Sequence, residues 1–158
     1  TLDEFTGFID QVMSISPSIG LGTDVIVGFP GETDELFESA YEYLLESPFF
    51  YFHVFSYSER EMARSRKMDG QVPKSVIAER SRRLRELSTR KKQVYMEQMI
   101  GTKQSVLFEQ IKKDQWVGHT EHYVPVRVNS DTALKNVIGH VNVTQLGDGF
   151  LLGEVIVN

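Results

Sequence analysis

Apolar residues at Leu2, Phe5, Ile9, Val12 and Met13 recur at helical spacing and predict an amphipathic helix over residues 1 to about 15. Thr1 and Glu4 form its capping box, and Pro17 and Gly20 stop it. The run from Ile19 to Phe29 is short and rich in Ile and Val, as in strands buried on both faces of a parallel sheet. From Thr33 the pattern is helical again through Leu36, Phe37, Ala40, Tyr41 and Leu44, and Pro48 closes it. FFYFHVFSY, residues 49 to 57, predicts a second aromatic strand. Two buried strands joined by a helix are what a parallel crossover requires. Two strands close no barrel, so further strands are expected from elsewhere, with an exposed apolar edge and self-association as the consequence.

Residues 58 to 72 read as a polar connection ending at Pro73, where a helix free of glycine begins and runs to Ile100. Ile77, Leu84, Leu87, Val94, Tyr95 and Met99 mark one side of it; Arg80, Arg82, Arg83, Arg85, Arg90, Lys91 and Lys92 crowd the rest. About 26 helical residues span roughly 40 Å, enough to link two domains. After Gly101 five short β-prone pieces follow, VLFEQ, WVGHT, HYVPVRVN, VIGHVNVTQL and FLLGEVIVN. Val124, Val126 and Val128 share one strand face, while Tyr123, Pro125 and Arg127 share the other. Five such strands predict a small closed barrel of the OB-like kind. The fold class is therefore α/β plus all-β, with an α/β part over 1–72, a basic linking helix over 73–100 and a β-barrel over 101–158.

Charge sharpens the picture. Residues 1–59 contain eleven acids and no Lys or Arg, residues 60–100 hold twelve basic residues against five acidic, and residues 101–158 hold five against six. Such asymmetry implies either an anionic partner for the middle block or a seam in which the two blocks attract each other. Lys and Arg on the helix suit phosphate contacts, with Arg80 and Arg83 as candidates. On the barrel, Trp116, Tyr123 and Arg127 suit base stacking and strand tracking, and His122 is an RNA-facing candidate. His119 and His122 are two residues apart without a third ligand of clear spacing, so no metal site is expected. No run approaches the length of a membrane span and no export signal precedes the first helix, which favours the cytoplasm. The chain has no cysteine, so it supplies no thiolate nucleophile and no cysteine ligand to an iron-sulfur cluster.

GFPGE, residues 28–32, follows the first strand and opens the next helix. It lacks the GK[ST] of a nucleotide-binding loop, and acids stand where a phosphate would sit. It reads either as a tight strand-to-helix turn or as a ligand-facing loop at the C-terminal end of a parallel strand.

Taken in order, TDVIVGFPGETDELF, HVFSYSER, QVPKSVIAERSRRL, VLFE, GHTEHYVPVRV and IGHVNV resemble the C-terminal portion of the radical S-adenosylmethionine methylthiotransferases with their terminal TRAM domain. The resemblance implies that residues 1–72 are the last βα units of a partial radical-SAM (β/α) barrel. It implies S-adenosylmethionine and two [4Fe–4S] clusters whose ligands lie outside this cysteine-free chain, so that no catalytic residue is assigned and the chain alone is inactive. The implied reaction inserts a methylthio group into a modified adenosine beside the tRNA anticodon. HVFSYSER looks most like the enzymes acting on threonylcarbamoyladenosine. The alternatives are the branch that modifies an aspartate of a ribosomal protein and a non-catalytic RNA-binding module. By the same resemblance Ile26, Gly28, Pro30, Gly31 and Glu32 line the S-adenosylmethionine pocket, with Glu32 accepting from an amino or hydroxyl group. His53, Phe55 and Tyr57 face the same cavity, and Arg60 meets RNA or substrate. After YSER this chain has Glu61-Met62-Ala63-Arg64-Ser65-Arg66 where the family has a Gly-Thr-Pro-Ala-Ala-like turn.

Overall fold

The computed structural model describes residues 1–59 and 64–156 and divides into two compact units, Thr1–Lys92 and Gln93–Asn158. The division falls inside the basic helix, most of which belongs with the first unit.

In the first unit, helix α1 (Leu2–Ile15) carries the capping box of Thr1 and Glu4. Strand β1 (Gly22–Val27) lies parallel to strand β2 (Tyr51–Ser56), in a register that pairs Asp24 with His53 and Ile26 with Phe55. Helix α2 (Asp34–Glu46) joins them and is capped by the Thr33 hydroxyl, which accepts from the Leu36 N–H. Side chains alternate along the two strands, so one sheet face turns Val27 and Phe52 into a core with Ile9, Phe37, Leu44, Phe49, Leu84 and Leu87. The other face leaves Ile26 and Phe55 exposed. The expectation of strands buried on both faces holds for one face only among the described residues.

Helix α3 (Lys74–Glu97) follows a short 3₁₀ turn at Arg64–Lys67. It also closes one side of the sheet. Ser88 Oγ accepts from the Phe52 N–H at 2.9 Å and donates to the Phe52 carbonyl at 3.0 Å, while Arg85 donates to the Val54 carbonyl at 3.3 Å. These side chains satisfy backbone groups that would otherwise recruit a further strand. Among the described residues β1 has β2 as its single strand neighbour, so its outer edge is the one left open.

The second unit is the barrel. Strands β3 (Lys103–Lys112), β4 (Gln115–Thr120), β5 (Pro125–Val128), β6 (Val137–Leu146) and β7 (Leu151–Val155) close in the order β3-β4-β5-β7-β6. All neighbouring pairs are antiparallel except β5 with β7. Val124, Val126 and Val128 point inward, as their alternation predicts, beside Val106, Phe108, Val141 and Leu151.

Candidate functional site

The turn after β1 is held by internal bonds. Gly28 and Gly31 have φ of +83° and +89°, in the left-handed region that glycine adopts without strain. The Gly28 N–H donates to both carboxylate oxygens of Glu32 at 3.1 Å, the Glu32 N–H to the Phe29 carbonyl at 2.9 Å, and the Gly31 N–H to the Gly70 carbonyl at 2.8 Å. From α3, Arg80 Nη1 donates to the Glu32 carboxylate at 2.6 Å and the Glu32 carbonyl at 3.1 Å, and Nη2 reaches Asp34 at 2.6 Å. The Glu32 carboxylate thus clamps its own turn, where the resemblance implies a ligand acceptor. Gly28 and Pro30 are buried and Phe29 is exposed.

Beside this turn lies the open sheet face. Asp24, Ile26, His53 and Phe55 share it by strand parity, with the His53 ring 5.1 Å from Tyr51 and 6.4 Å from Phe55. Tyr57 follows β2, its N–H on the Val27 carbonyl at 2.7 Å and its ring 5.3 Å from Phe29. Its hydroxyl is buried without a hydrogen-bond partner among the described residues, a cost that a bound polar group would relieve. An apolar and aromatic floor with Asp24, His53 and this hydroxyl fits one side of a nucleoside-like cofactor.

Helix α3 realises the seam. Arg80 is 6% exposed and paired with Glu32 and Asp34, so the RNA contact expected of it is opposed by its burial and would require these bonds to break. Arg83 forks onto Glu38 and lies over the rings of Phe37 and Tyr41 at 5.0 and 4.9 Å. The Arg83 bonds hold the exposed Glu38 carboxyl below its ordinary range, so this stabilisation is present above the ordinary carboxylate pKa and is lost as pH falls through the lowered one. Lys91 Nζ donates to the carbonyls of Leu45 and Ser47 at 2.8 and 2.7 Å. It thereby places a cation at the negative end of α2, a helix with no basic residue in its last turn. Burial pushes the Lys91 amine down, and the two carbonyl acceptors oppose that by favouring the charged form.

Other cations stay outward. Arg82, Arg85 and Arg90 line a shallow surface hollow of about 590 Å³ with Glu86 and Thr89. Arg82 is paired with Glu79 and Glu86. Arg85 and Arg90 bond only neutral oxygens, the Val54 carbonyl and the Tyr41 hydroxyl, among the described residues. Among the described residues neither is paired with a carboxylate. They are the phosphate candidates that composition alone does not separate from Arg80, although the spacing Ile77, Arg80, Leu84, Leu87, Lys91 puts Arg80 in the buried stripe. Arg60 lies outside the described residues.

On the barrel, Trp116 is 8% exposed and serves the core rather than an RNA-stacking surface, because its position on β4 points inward. Tyr123 is 78% exposed. The Arg127 guanidinium lies 3.8 Å from the Phe150 ring centre, and His122 meets Tyr95 edge-on at 6.2 Å. Among the described residues no group of His, Asp or Glu has the geometry to hold a metal, and no helix is long and apolar enough to cross a membrane.

A parallel βα unit with an open face, joined in sequence to a five-stranded barrel, is the architecture expected of a radical-SAM segment followed by a TRAM-like domain. No family model matches the chain. It is 34% identical over 130 residues to the threonylcarbamoyladenosine tRNA methylthiotransferase MtaB of Rickettsia prowazekii, covering 82% of this chain and 30% of that protein. The MtaB of Aquifex aeolicus is 33% identical over 127 residues, 80% of this chain and 30% of its own length. The tRNA-2-methylthio-N(6)-dimethylallyladenosine synthase of a Wolbachia strain is 32% identical over 157 residues, 97% of this chain and 36% of its own length. The chain belongs to the methylthiotransferase family, and it spans about a third of the length of the curated relatives it matches.

Proposed function

We propose that this chain is the segment of a tRNA methylthiotransferase that completes one wall of the S-adenosylmethionine site and carries the RNA-gripping surfaces. The observation that carries the reading is similarity along 80–97% of the chain to relatives named for that reaction. The modified adenosine proposed as substrate is threonylcarbamoyladenosine, the one in the MtaB names, within the anticodon stem-loop, and the proposed setting is the cytoplasm. S-adenosylmethionine, when bound, supplies the radical source and the methyl group. Ile26, His53 and Phe55 provide its floor, Tyr57 offers the hydroxyl, and Gly28, Pro30, Gly31 and Glu32 shape the rim through the Arg80 clamp. The two [4Fe–4S] clusters of the whole protein take ligands from elsewhere, since no cysteine is present here, and this chain alone is inactive.

RNA is proposed to meet Arg60, Arg85 and Arg90, with Arg83 free to contribute only by releasing Glu38, and then Arg127, His122 and Tyr123 on the barrel. Titration of an anticodon stem-loop at several salt concentrations tests this. Affinity is expected to fall as salt rises, and the Arg85→Ala/Arg90→Ala pair to flatten the logarithmic slope by about 1 to 2, roughly one for each phosphate no longer neutralised. A salt-independent affinity refutes the role of the helix.

Self-association is proposed at the open edge of β1, since β2 is closed by Ser88 and Arg85. Sedimentation is expected to show concentration-dependent association that Ile26→Lys abolishes by setting a charge on the adjoining exposed face. A monomer at all concentrations overturns the proposal.

A further inference from the structure

The barrel carries a cavity of about 430 Å³ that belongs neither to the cofactor face nor to the basic patch. Its floor is apolar. Leu107 on β3 stands between His119 on β4 and Ile138 on β6 by register, so the three side chains form a row across adjacent strands. Leu107 and Ile138 are exposed. The wall is a built aromatic pair: His119 Nδ1 lies 2.7 Å from a Glu109 carboxylate oxygen, which fixes the imidazole, and Tyr123 stacks on it at 4.7 Å and 17°. Glu121 completes the rim.

Tyr123 has a φ of +61°, an uncommon conformation for an aromatic residue. Its turn is held by the Tyr123 N–H on the Thr120 carbonyl at 2.9 Å, and by the Thr120 hydroxyl, which accepts from Val124 at 3.2 Å. The ring stacks on His119 on one side and leaves its other face exposed. No Lys or Arg lines the cavity among the described residues, and two carboxylates do.

We propose that this cavity takes one unstacked, amino-bearing nucleobase from a single-stranded stretch of RNA. The base continues the His119–Tyr123 stack, rests on Leu107 and Ile138, and donates its exocyclic amine to Glu109 or Glu121. A phosphate there would meet two carboxylates and no cation, so the contact is with the base and not the backbone. Its strength is consequently almost independent of salt, unlike that of the Arg85 and Arg90 patch. A basic side chain would satisfy the carboxylates but gains less from the apolar floor than a larger neutral ring does. The proposal rests on the tRNA reading and adds to it a place and a chemistry for base recognition.

The full chain is titrated with an RNA hairpin carrying fluorescent 2-aminopurine at one loop position at a time, and separately with adenosine and uridine while the Leu107 and Ile138 methyl signals are followed by NMR. One loop position is expected to be quenched at low and high salt alike, and adenosine to shift both methyls more than uridine, which lacks the amine. Tyr123→Asn removes the ring but keeps a residue that tolerates positive φ; it is expected to weaken hairpin binding about five- to hundredfold and to abolish the quench, while Tyr123→Phe restores both. Hairpin binding with no position quenched overturns the cavity and leaves the tRNA reading standing. Adenosine shifts without hairpin binding support the cavity and overturn the tRNA reading. Silence to both ligands overturns both, and methyl shifts with an arginine-containing peptide but no nucleoside reassign the cavity to a cation.

Discussion

Arg80→Met is expected to lower the unfolding free energy of the first unit by about 3 kcal/mol, as when one partner of a buried ion pair is deleted. The loss is concentrated at Glu32, whose side chain is 17% exposed and, among the described residues, keeps only the Gly28 N–H once the guanidinium is gone. Asp34, 86% exposed, is solvated by water and adds little. Arg80→Lys restores only part of the stability, since one ammonium cannot serve the Glu32 carboxylate, the Glu32 carbonyl and Asp34 together. Adding Glu32→Gln to Arg80→Met recovers some of the loss by removing the stranded charge. Denaturant unfolding followed by helical circular dichroism measures these differences, and Trp116 fluorescence reports the barrel separately. A change below about 1 kcal/mol, typical of exposed pairs, would show that Arg80 is not buried in solution.

Gly28→Ala is expected to destabilise the same unit by about 2 to 4 kcal/mol, combining a left-handed backbone penalty with overpacking. A β-carbon on Gly28 would overlap Ile77 Cγ1 on α3, so that half-buried side chain must also move. Gly31→Ala separates the two causes. Its φ is equally positive, but nothing lies within 4 Å of the added carbon, so the expected loss is about 1 to 2 kcal/mol. Equal losses at the two positions would mean that Ile77 yields freely and the turn is not packed against α3.

The parts of this fold that depend on local chemistry are legible in the sequence. Thr1 with Glu4 and Thr33 before an acidic first turn announce helix starts because a hydroxyl there satisfies backbone donors. Val124, Val126 and Val128 announce a half-buried strand because side chains alternate by two. The ordered blocks carry the family resemblance that the relatives bear out. The nucleic-acid candidates are less legible. Arg80 and Arg85 are five residues apart on one helix, with the same side chain, and composition cannot tell the clamped one from the outward one. Trp116 reads as a surface ring although it is a core residue, because the strand WVGHT shows no alternation: Trp116, Val117, Gly118 and Thr120 are all buried.

By itself the sequence determined the order of elements, their caps and turns, and a charge division strong enough to require a counterpart for the basic block. Only the tertiary structure decided that much of this counterpart is internal, with Arg80 and Arg83 answering the acids of the preceding helix and its turn, while Arg85 and Arg90 keep their charge outward. Likewise it decided that Ser88 closes one sheet edge and that His119, Leu107 and Ile138 meet in a single row. The physical reason is that periodicity is a property of neighbours along the chain, whereas burial, pairing and strand register depend on which distant surfaces come within reach of each other.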